Sequence, residues 1–254
     1  MSSTKRSVMQ KIALVTGAYQ GIGLATSELL MEQGFHVIMA DIQSCSALVN
    51  DFRQKGYTAS HLKLDLAMSS IFPAVANKIE EQFGRLDVLV NNAAILVDLG
   101  RHPSLIDEDT YRRVIEVNQI GPFLLTRALT PLLKKSSQAR IVNVSSQAGQ
   151  LAQLSDMASP IKDDVCAAYQ SSKIGVNANT VLFAKELEPF GIKVNSYCPG
   201  WVDSGMNLDE LPDYGEHIRL KSPKEGADTA IWLATLDADG PTAGFFSERE
   251  KINW

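Results

Sequence analysis

The sequence predicts an α/β fold with a doubly wound parallel sheet of about seven strands and helices on both faces. Three observations lead to this prediction. Short runs rich in Val, Ile and Leu alternate with longer segments of helical spacing, and short loops join them. Most of these runs are apolar at successive positions, which is typical of strands buried on both faces. Strands separated by helices pair in parallel through right-handed crossovers.

The clearest elements can be placed along the chain. The predicted strands are residues 11–16, 36–41, 61–66, 86–91, 140–145 and 193–198. The predicted helices are residues 24–33, 71–83, 111–135, 168–189 and 224–236. Gly34, Gly84 and Gly191 follow three of these helices, where a glycine commonly ends a helix.

Length and composition indicate one well-filled domain, residues 1–254. With 45% hydrophobic residues, the chain is too apolar to be disordered. The net charge of −5 and the pI of about 5.4 argue against a broad surface for nucleic acid or for anionic membranes. No run of eighteen apolar residues occurs, so we expect no membrane span.

The placement of cysteine and histidine argues against disulfides and metal sites. Cys45, Cys166 and Cys198 are scattered and never form a CxxC pair, which fits a reducing compartment. The four histidines have no ligand spacing, so we assign no metal site. The N-terminal segment lacks the apolar stretch of a signal peptide, and we expect a cytoplasmic protein.

Two long connections, residues 147–165 and 200–223, follow the carboxyl ends of predicted strands. Open α/β sheets bind ligands at that edge, and loops of this length are more often functional than incidental. Between them the connections contain Leu, Met, Pro and Trp with few cations. We therefore expect them to shape a pocket for an uncharged, moderately apolar substrate.

A glycine-rich segment, TGAYQGIG at residues 16–23, joins the first strand to the first helix. Gly17, Gly21 and Gly23 would allow a tight turn in which backbone approaches a pyrophosphate at the helix N-terminus. The alternative is an ordinary turn that happens to contain glycines. The flanking strand and helix, with Asp41 eighteen residues beyond Gly23, favour a dinucleotide site.

Two aspartates close the second and third predicted strands. Asp41 lies where a carboxylate would accept hydrogen bonds from an adenosine ribose, and Asp65 lies where it would meet the adenine edge. Either residue also suits a helix cap or a turn. The two interpretations are compatible.

A third segment, YQSSK, places Tyr169 and Lys173 one turn apart on a predicted helix. A lysine ammonium near a phenol favours the phenolate, so we expect the pKa of Tyr169 to be lowered. Such a pair alone is most often a surface feature. Here it follows Ser145 and Ser146 at a strand end, in a chain with a phosphate-binding loop.

Together these segments resemble the short-chain dehydrogenase/reductase family, whose fold is of the Rossmann type, over nearly the whole chain. TGAYQGIG is similar to its cofactor loop and NNAA at 91–94 to its NNAG strand end. VNQIG, NVSS and YQSSK are similar to the segments that carry its catalytic residues. CPGWVDS at 198–204 is similar to the segment that closes over the nicotinamide.

The resemblance implies a catalytic set of Asn118, Ser146, Tyr169 and Lys173. Tyr169 would donate a proton to a carbonyl oxygen, or accept one from an alcohol, while Ser146 holds that oxygen. Lys173 would hold the nicotinamide ribose and poise Tyr169, and Asn118 would anchor a water in a proton relay. Hydride transfer itself belongs to the cofactor.

The resemblance also implies a cofactor-binding set, drawn from six parts of the chain. Its members are Gly17, Gln20, Gly21, Ile22, Gly23, Asp41, Asp65, Leu66, Asn92, Ala93, Ala94, Tyr169, Lys173, Val202 and Ser204. Ala94 departs from the family glycine, and Ser204 replaces the common threonine but keeps its hydroxyl. The twenty-three positions from Ser146 to Tyr169 exceed the usual spacing, and stability tolerates such an insertion.

Cofactor preference follows from local charge. The carboxylate of Asp41 can accept hydrogen bonds from both ribose hydroxyls of NAD, whereas it would repel the 2′-phosphate of NADP. Family members that prefer NADP often carry a basic residue at the places of Gln20 or Ile42. The sequence therefore predicts NAD(H). NADP(H) is the alternative, because residues 244–254 are similar to the ending of carbonyl-reductase-like members.

We therefore predict an NAD(P)-dependent oxidoreductase that acts on a small uncharged carbonyl or secondary alcohol. One alternative is a non-catalytic NAD(P)-binding sensor, which would have no need of the YQSSK pair. Another is a methyltransferase, in which NVSS and YQSSK would have no role. The family resemblance implies a homotetramer or homodimer that pairs through the helices predicted at 111–135 and 168–189. No nucleic-acid or membrane partner is expected.

Overall fold

An eight-stranded sheet forms the centre of the protein, whose computed structural model describes residues 10–158, 165–206 and 220–254. The strands are β1 (Ile12–Thr16), β2 (His36–Asp41), β3 (Ala59–Lys63), β4 (Val88–Asn91), β5 (Arg140–Val144), β6 (Lys193–Cys198), β7 (Phe245–Ser247) and β8 (Glu250–Ile252). Their order across the sheet is β3-β2-β1-β4-β5-β6-β7-β8. Every neighbouring pair is parallel except β7 with β8, an antiparallel hairpin at one edge.

Helices cover both faces of this sheet. They are α1 (Gly21–Glu32), α2 (Ser46–Gln54), α3 (Phe72–Phe83), α4 (Glu108–Ile115), α5 (Gly121–Leu133), α6 (Leu151–Leu154), α7 (Ala167–Leu187) and α8 (Pro223–Ala234). One core cluster joins the sheet to α3, α5 and α7, and a second joins it to α1, α2 and α8. The predicted doubly wound parallel sheet is therefore confirmed.

The continuous apolar runs of the sequence arise from this two-sided burial. All five residues of β1 are buried, and successive side chains enter opposite clusters. Ile12 and Leu14 pack with the α3–α5–α7 side, while Ala13 and Val15 pack with the α1–α2–α8 side. A strand with one solvated face would alternate with polar residues instead.

The helix predicted at 111–135 is interrupted, which corrects the sequence prediction. A π-helical turn, Glu116–Ile120, separates α4 from α5, and Gly121 donates its amide hydrogen to the carbonyl of Glu116. Pro122 has no amide hydrogen for the carbonyl of Asn118, four residues earlier, so the regular α-helical bond cannot form there. Such π turns occur frequently at functional sites.

Other boundaries also differ from the sequence prediction. The third strand begins and ends earlier than predicted, because Asp65 turns the chain by accepting the amide hydrogen of Ala67, 2.9 Å away. Helix α2 was not predicted, and it buries only Val49 and Phe52. Residues 159–164 and 207–219 of the two predicted substrate connections lie outside the described residues.

The β7–β8 hairpin was also missed, and its turn explains why. Glu248 and Arg249 both have positive φ, of 52° and 64°, in a two-residue loop that usually requires glycine or asparagine. Contacts from elsewhere hold this turn. The guanidinium of Arg249 donates to Asp228 at 2.7 Å, and the Glu248 carboxylate lies 2.7 Å from the ammonium of Lys221.

Candidate active site

The glycine loop between β1 and α1 is packed so closely that side chains would not fit. Gly17 and Gly21 have positive φ, of 65° and 56°. A Cβ on Gly21 would lie 2.5 Å from the carbonyl oxygen of Ser204, and one on Gly23 would lie 2.0 Å from that of Gly17. Glycine is therefore required for the loop to fold against itself and against residue 204.

The N-terminus of α1 suits an anionic group. The side chain of the N-cap residue Gln20 makes no capping bond to α1. Ile22 lies in the first turn of the helix, and this turn contains no acidic residue. The first amide hydrogens of the helix consequently lack a side-chain acceptor and point out of its positive end. This donor set fits the pyrophosphate of a dinucleotide.

The residues after β4 are hydrogen-bonded to the start of the glycine loop. The hydroxyl of Thr16 accepts the amide hydrogens of Asn92 and Ala93, each at 3.0 Å. The side-chain amide of Asn92 donates back to the carbonyls of Thr16 at 2.9 Å and Gly17 at 3.2 Å. Ala94 follows and is half-buried. Thr16 was not among the predicted site residues, and its hydroxyl at a buried strand end was the available signal.

Asp41 lies beside the same loop. One carboxylate oxygen accepts the amide hydrogen of Tyr19 at 3.0 Å, and the other accepts that of Gln43 at 2.9 Å. The residue is half-buried at the carboxyl end of β2, so its carboxylate is part of the loop wall. It forms a turn, as one interpretation expected, but it does not cap α2, which begins at Ser46.

Asp65 and Leu66 lie at the carboxyl side of β3. Asp65 is half-buried and makes the turn described above, while the Leu66 side chain is buried in the core. The Leu66 carbonyl approaches Gly121 at the start of α5, where a Cβ would lie 2.5 Å from it. These two residues therefore border the predicted adenine end of the site.

The four predicted catalytic residues come from three elements that meet at the carboxyl edge of the sheet. Ser146 follows β5, Tyr169 and Lys173 lie on the first turns of α7, and Asn118 lies in the π turn. The Ser146 hydroxyl lies near the Tyr169 hydroxyl and acts on its pKa as a hydrogen-bond partner. The Lys173 ammonium donates to the carbonyl of Val144 at 2.8 Å and lies 5.3 Å from the centroid of the Tyr169 ring.

Burial dominates the electrostatics of the Tyr169–Lys173 pair. It raises the pKa of Tyr169 above its ordinary value, although the hydrogen bond from Ser146 opposes this. Burial also lowers the pKa of Lys173 to about 8. The expectation of a lowered pKa for Tyr169 is therefore wrong for the unliganded protein, because desolvation disfavours the charged form of both groups.

Asn118 ties the π turn to two other parts of the site. Its side-chain oxygen accepts the amide hydrogen of Ile95, and its side-chain nitrogen donates to the carbonyl of Ile95, both at 2.8 Å. The same nitrogen donates to the Ser172 hydroxyl at 3.2 Å. The residue is buried, so its amide holds protein groups rather than solvent.

The segment after β6 folds over the glycine loop. Val202 is buried and forms an isolated parallel bridge with Lys221. The Lys221 ammonium donates to the carbonyl of Pro199 at 3.3 Å and also contacts Glu248 of the hairpin turn. Because Ser204 then lies against Gly21, the segment covers the cofactor end of the site.

One further residue at the site was missed by the sequence analysis. Asp98 is fully buried, and its carboxylate accepts the amide hydrogens of Ala168 at 2.7 Å and Tyr169 at 3.3 Å. The available signal was a single acid within the otherwise apolar run ILVDL.

No group of His, Cys, Asp and Glu among the described residues has the arrangement of a metal site. In the same part of the chain, no helix is long and apolar enough to cross a membrane.

Comparison with known proteins agrees with this geometry. The sequence profile of the short chain dehydrogenase family matches residues 11–215. The chain is 32% identical to the uncharacterized oxidoreductase YxjF of Bacillus subtilis, over 92% of this chain and 94% of that protein. It is 30% identical to the (S)-acetoin-forming diacetyl reductase of Staphylococcus epidermidis, over 91% and 94% of the two chains. Salutaridine reductase from Papaver somniferum has a similar structure, with a TM-score of 0.77, 25% identity, and coverage of 93% and 99%.

The fold, the site and these relatives define an NAD(P)-dependent oxidoreductase that interconverts a carbonyl and an alcohol. The chain belongs to the short-chain dehydrogenase family, because the family profile covers residues 11–215 and the relative from Bacillus subtilis matches 92% of the chain.

Proposed function

We propose that this chain reduces a small uncharged ketone, or oxidises the matching secondary alcohol, with Tyr169 as the general acid and base. The observation that carries the proposal is the cluster in which the Tyr169 hydroxyl contacts the Ser146 hydroxyl beside the Lys173 ammonium. Two adjoining hydroxyl donors suit one carbonyl oxygen, and a nearby cation suits the phenolate left after proton transfer.

In the reduction, Ser146 and Tyr169 hold the carbonyl oxygen by hydrogen bonds. A bound nicotinamide dinucleotide supplies the hydride to the carbonyl carbon. The Tyr169 hydroxyl gives its proton to the oxygen, so the product is the neutral alcohol and the residue is left as phenolate. In the oxidation, the phenolate takes the alcohol proton. Ser146 stays hydrogen-bonded to the oxygen in both directions.

Lys173 stabilises the charge that forms on Tyr169. Its ammonium lies within the range of a cation–π contact with the ring, and the Val144 carbonyl fixes its position. The same ammonium would donate to ribose hydroxyls of the bound cofactor. The side-chain amide of Asn118 is engaged by protein groups. We therefore assign the water of the proton relay to the backbone carbonyl of Asn118, to which Pro122 has no amide hydrogen to donate.

We assign the cofactor to the surface formed by the glycine loop and its neighbours. The loop residues Gly17, Gln20, Gly21, Ile22 and Gly23 would hold the pyrophosphate. The other contacts are with Asp41, Asp65, Leu66, Asn92, Ala93, Ala94, Tyr169, Lys173, Val202 and Ser204. NAD(H) is the preferred form, because the Asp41 carboxylate borders the loop and would repel a 2′-phosphate.

The substrate is proposed to be small and uncharged. Helix α6 follows Ser146 closely and exposes Leu151, and Met157 beyond it is also exposed. Val97, in the loop after β4, adds a third exposed apolar side chain. The relative named for diacetyl, a small uncharged dicarbonyl compound, supports this choice.

We further propose that the chain acts as one domain, in the cytoplasm, as a homotetramer or homodimer. The three cysteines are buried thiols, which suits a reducing compartment. Helices α4 and α7 expose Tyr111 and Leu182, and the π turn exposes Ile120, so this side of the molecule offers apolar surface for pairing.

Turnover by a matched pair of tyrosine variants tests the proposal. Ketones including diacetyl are reduced with NADH and NADPH, and the corresponding alcohols are oxidised. Tyr169→Phe should lower kcat by about 10²–10⁴-fold while NADH still binds, since general acid–base groups contribute that much. Tyr197→Phe is the control: its buried hydroxyl has no partner among the described residues, so its removal should leave kcat unchanged.

Near-native turnover by Tyr169→Phe would overturn the mechanism. NADH binding without turnover of any compound in the panel by the unmodified protein would instead support the sensor alternative.

A further inference from the structure

At the N-terminus of the helix that carries Tyr169, the Gln170 side chain accepts the amide hydrogen of Cys166 at 3.4 Å, but the first helical amide hydrogens are bonded by a residue outside the helix. The N-cap position of α7 is Cys166, whose side chain makes no cap bond. The amide hydrogens of the second and third helical residues, Ala168 and Tyr169, are the groups that an N-cap side chain normally satisfies. Here the acceptor comes from Asp98, seventy and seventy-one positions upstream.

The cap provided by Asp98 is a buried charge. The residue has no solvent exposure, and one carboxylate oxygen accepts both amide hydrogens, at 2.7 and 3.3 Å. The other oxygen has no hydrogen-bond partner among the described residues. A buried polar atom without a partner lowers stability, and the two bonds to the helix amides oppose that cost.

The surrounding loop connects Asp98 to the rest of the site. Residues 92 and 93 bond to Thr16 beneath the glycine loop, Ile95 bonds to Asn118, and Asp98 bonds to the start of α7. Gly100 and Arg101 continue the contact, since they bond to the backbone of residues 165 and 167. One short loop thus fixes the position of α7 relative to the cofactor loop and the π turn.

We propose that Asp98 is a positioning residue for Tyr169: the buried Asp98 carboxylate fixes the first turn of α7 and places its charge near the phenol that gives its proton to the reacting oxygen. The inference rests on the proposed function, because it assigns Asp98 a part in the acid–base step of Tyr169. It concerns a carboxylate that touches neither substrate nor cofactor and acts only through the tyrosine.

The charge of Asp98 acts on Tyr169 together with four other groups. Burial contributes most to the raised pKa of Tyr169. Negative charge on Cys166, Cys198 or Asp98 would add to it, Asp98 least of the three, whereas the Ser146 hydroxyl favours the phenolate. Lys173, one turn along α7, is the cation that faces the ring. Asp98 is the carboxylate among these groups, so its removal should lower the pKa of Tyr169.

Two substitutions separate the two parts of this role. Asp98→Asn keeps a side-chain oxygen for the amide hydrogens but removes the charge. In alcohol oxidation, the limb of kcat/KM that rises with pH should then move to lower pH by about half a unit or more. Asp98→Ala also removes the cap, so kcat should fall about 10- to 100-fold with little change in KM, because the phenol is misplaced.

Asp87→Asn is the matched control. Asp87 is also buried and also accepts a backbone amide hydrogen, from Ile12 at 2.8 Å, but it precedes β4 at the opposite edge of the sheet. Both asparagine variants should unfold at a lower temperature than the parent, whereas only Asp98→Asn should move the pH limb. The assay uses acetoin with NAD, or the alcohol that the panel identifies as oxidised fastest.

The inference is overturned if the Asp98→Asn limb coincides with that of the parent, if Asp87→Asn moves it equally, or if Asp98→Ala keeps the parent kcat. Tyr169→Phe, assayed beside these variants, distinguishes this failure from that of the proposed function. If Tyr169→Phe is inactive and the limb does not move, only the role of Asp98 is lost. If Tyr169→Phe keeps near-native turnover, the pH dependence of kcat/KM does not report the ionisation of Tyr169, and both proposals are refuted.

Discussion

The ammonium of Lys173 lies 5.3 Å from the centre of the Tyr169 ring, and a 2.8 Å hydrogen bond to the Val144 carbonyl holds it there. Both side chains are enclosed by protein, so each resists its own charged form. The site therefore places a phenol whose pKa is raised beside an ammonium whose pKa is lowered, a pair suited to give up and regain one proton.

Lys173 makes the stability of the protein depend on pH. Burial lowers its pKa from 10.5 to about 8, so between these values the unfolded chain holds a proton that the folded chain lacks. Stability contributed by this group therefore rises from pH 8 to pH 10 and is lowest below pH 8. Relative to Lys173→Met, the parent should gain on the order of 3 kcal/mol across this range.

Urea unfolding of both proteins at pH 7, 8, 9 and 10 measures this difference. Other lysines titrate equally in the two proteins and cancel. A difference in unfolding free energy that stays constant with pH would show that the amine is not desolvated.

Cofactor choice should depend on Asp41. We expect kcat/KM to be at least about tenfold higher with NADH than with NADPH, because the carboxylate faces a like charge in the phosphorylated form. Asp41→Asn keeps an acceptor for the amide hydrogens of Tyr19 and Gln43 but should reduce that preference. Asp51→Asn, an equal change of charge at an exposed position of α2, should leave it unaltered. A parent enzyme that prefers NADPH, with an unaltered ratio in Asp41→Asn, would refute this reading.

Gly21 should be intolerant of a side chain. Its φ is 56°, and a Cβ would lie 2.5 Å from the Ser204 carbonyl, so Gly21→Ala should push the covering segment off the loop. We expect NADH to bind at least about tenfold more weakly, measured by fluorescence titration, given strain of about 1–3 kcal/mol at such positions. Gly34→Ala is the control, because its φ is 84° but a Cβ there meets no described atom within 4 Å. Equal affinity in all three proteins would contradict the close packing.

Light scattering at micromolar concentration should give the mass of a tetramer or a dimer. Leu182→Glu places a charge on the exposed apolar side of α7 and should shift the mass toward the monomer. Met68→Glu changes a similarly exposed apolar residue away from that helix and should leave the mass unchanged. A monomeric parent would refute pairing through α4, the π turn and α7.

The sequence predicted best what burial determines. The range predicted for β2 matches the structure at both ends, because the continuous apolar run of residues 37–40 leaves little choice of boundary. The range predicted for β6 matches as well, although Asn195 and Ser196 interrupt its apolar residues. The family resemblance of the YQSSK and NVSS segments led to Tyr169 and Ser146, which the structure brings close together. The local sequence pattern was sufficient to predict an element whose conformation depends mainly on its own residues.

The sequence predicted less well those local conformations that depend on contacts with residues far away in the chain. The π turn depends on a proline and on a close approach of Gly121 to Leu66, and periodicity shows neither. The hairpin turn at Glu248 and Arg249 depends on partners from residues 221 and 228. Asp98 caps a helix that begins about seventy residues later, which no local capping rule detects.

The loop after β4 has a consequence for the way the enzyme gains and loses activity. Its bonds span seventy-six residues to Thr16, twenty-three to Asn118 and seventy to Ala168. Contacts of such long range carry a loop-closure entropy cost, so we expect them to form late in folding. Turnover should therefore report only the fully native chain. A folding intermediate that has its strands and helices but lacks these contacts should be inactive. In a denaturant series, we expect activity and tertiary structure to be lost at the same denaturant concentration.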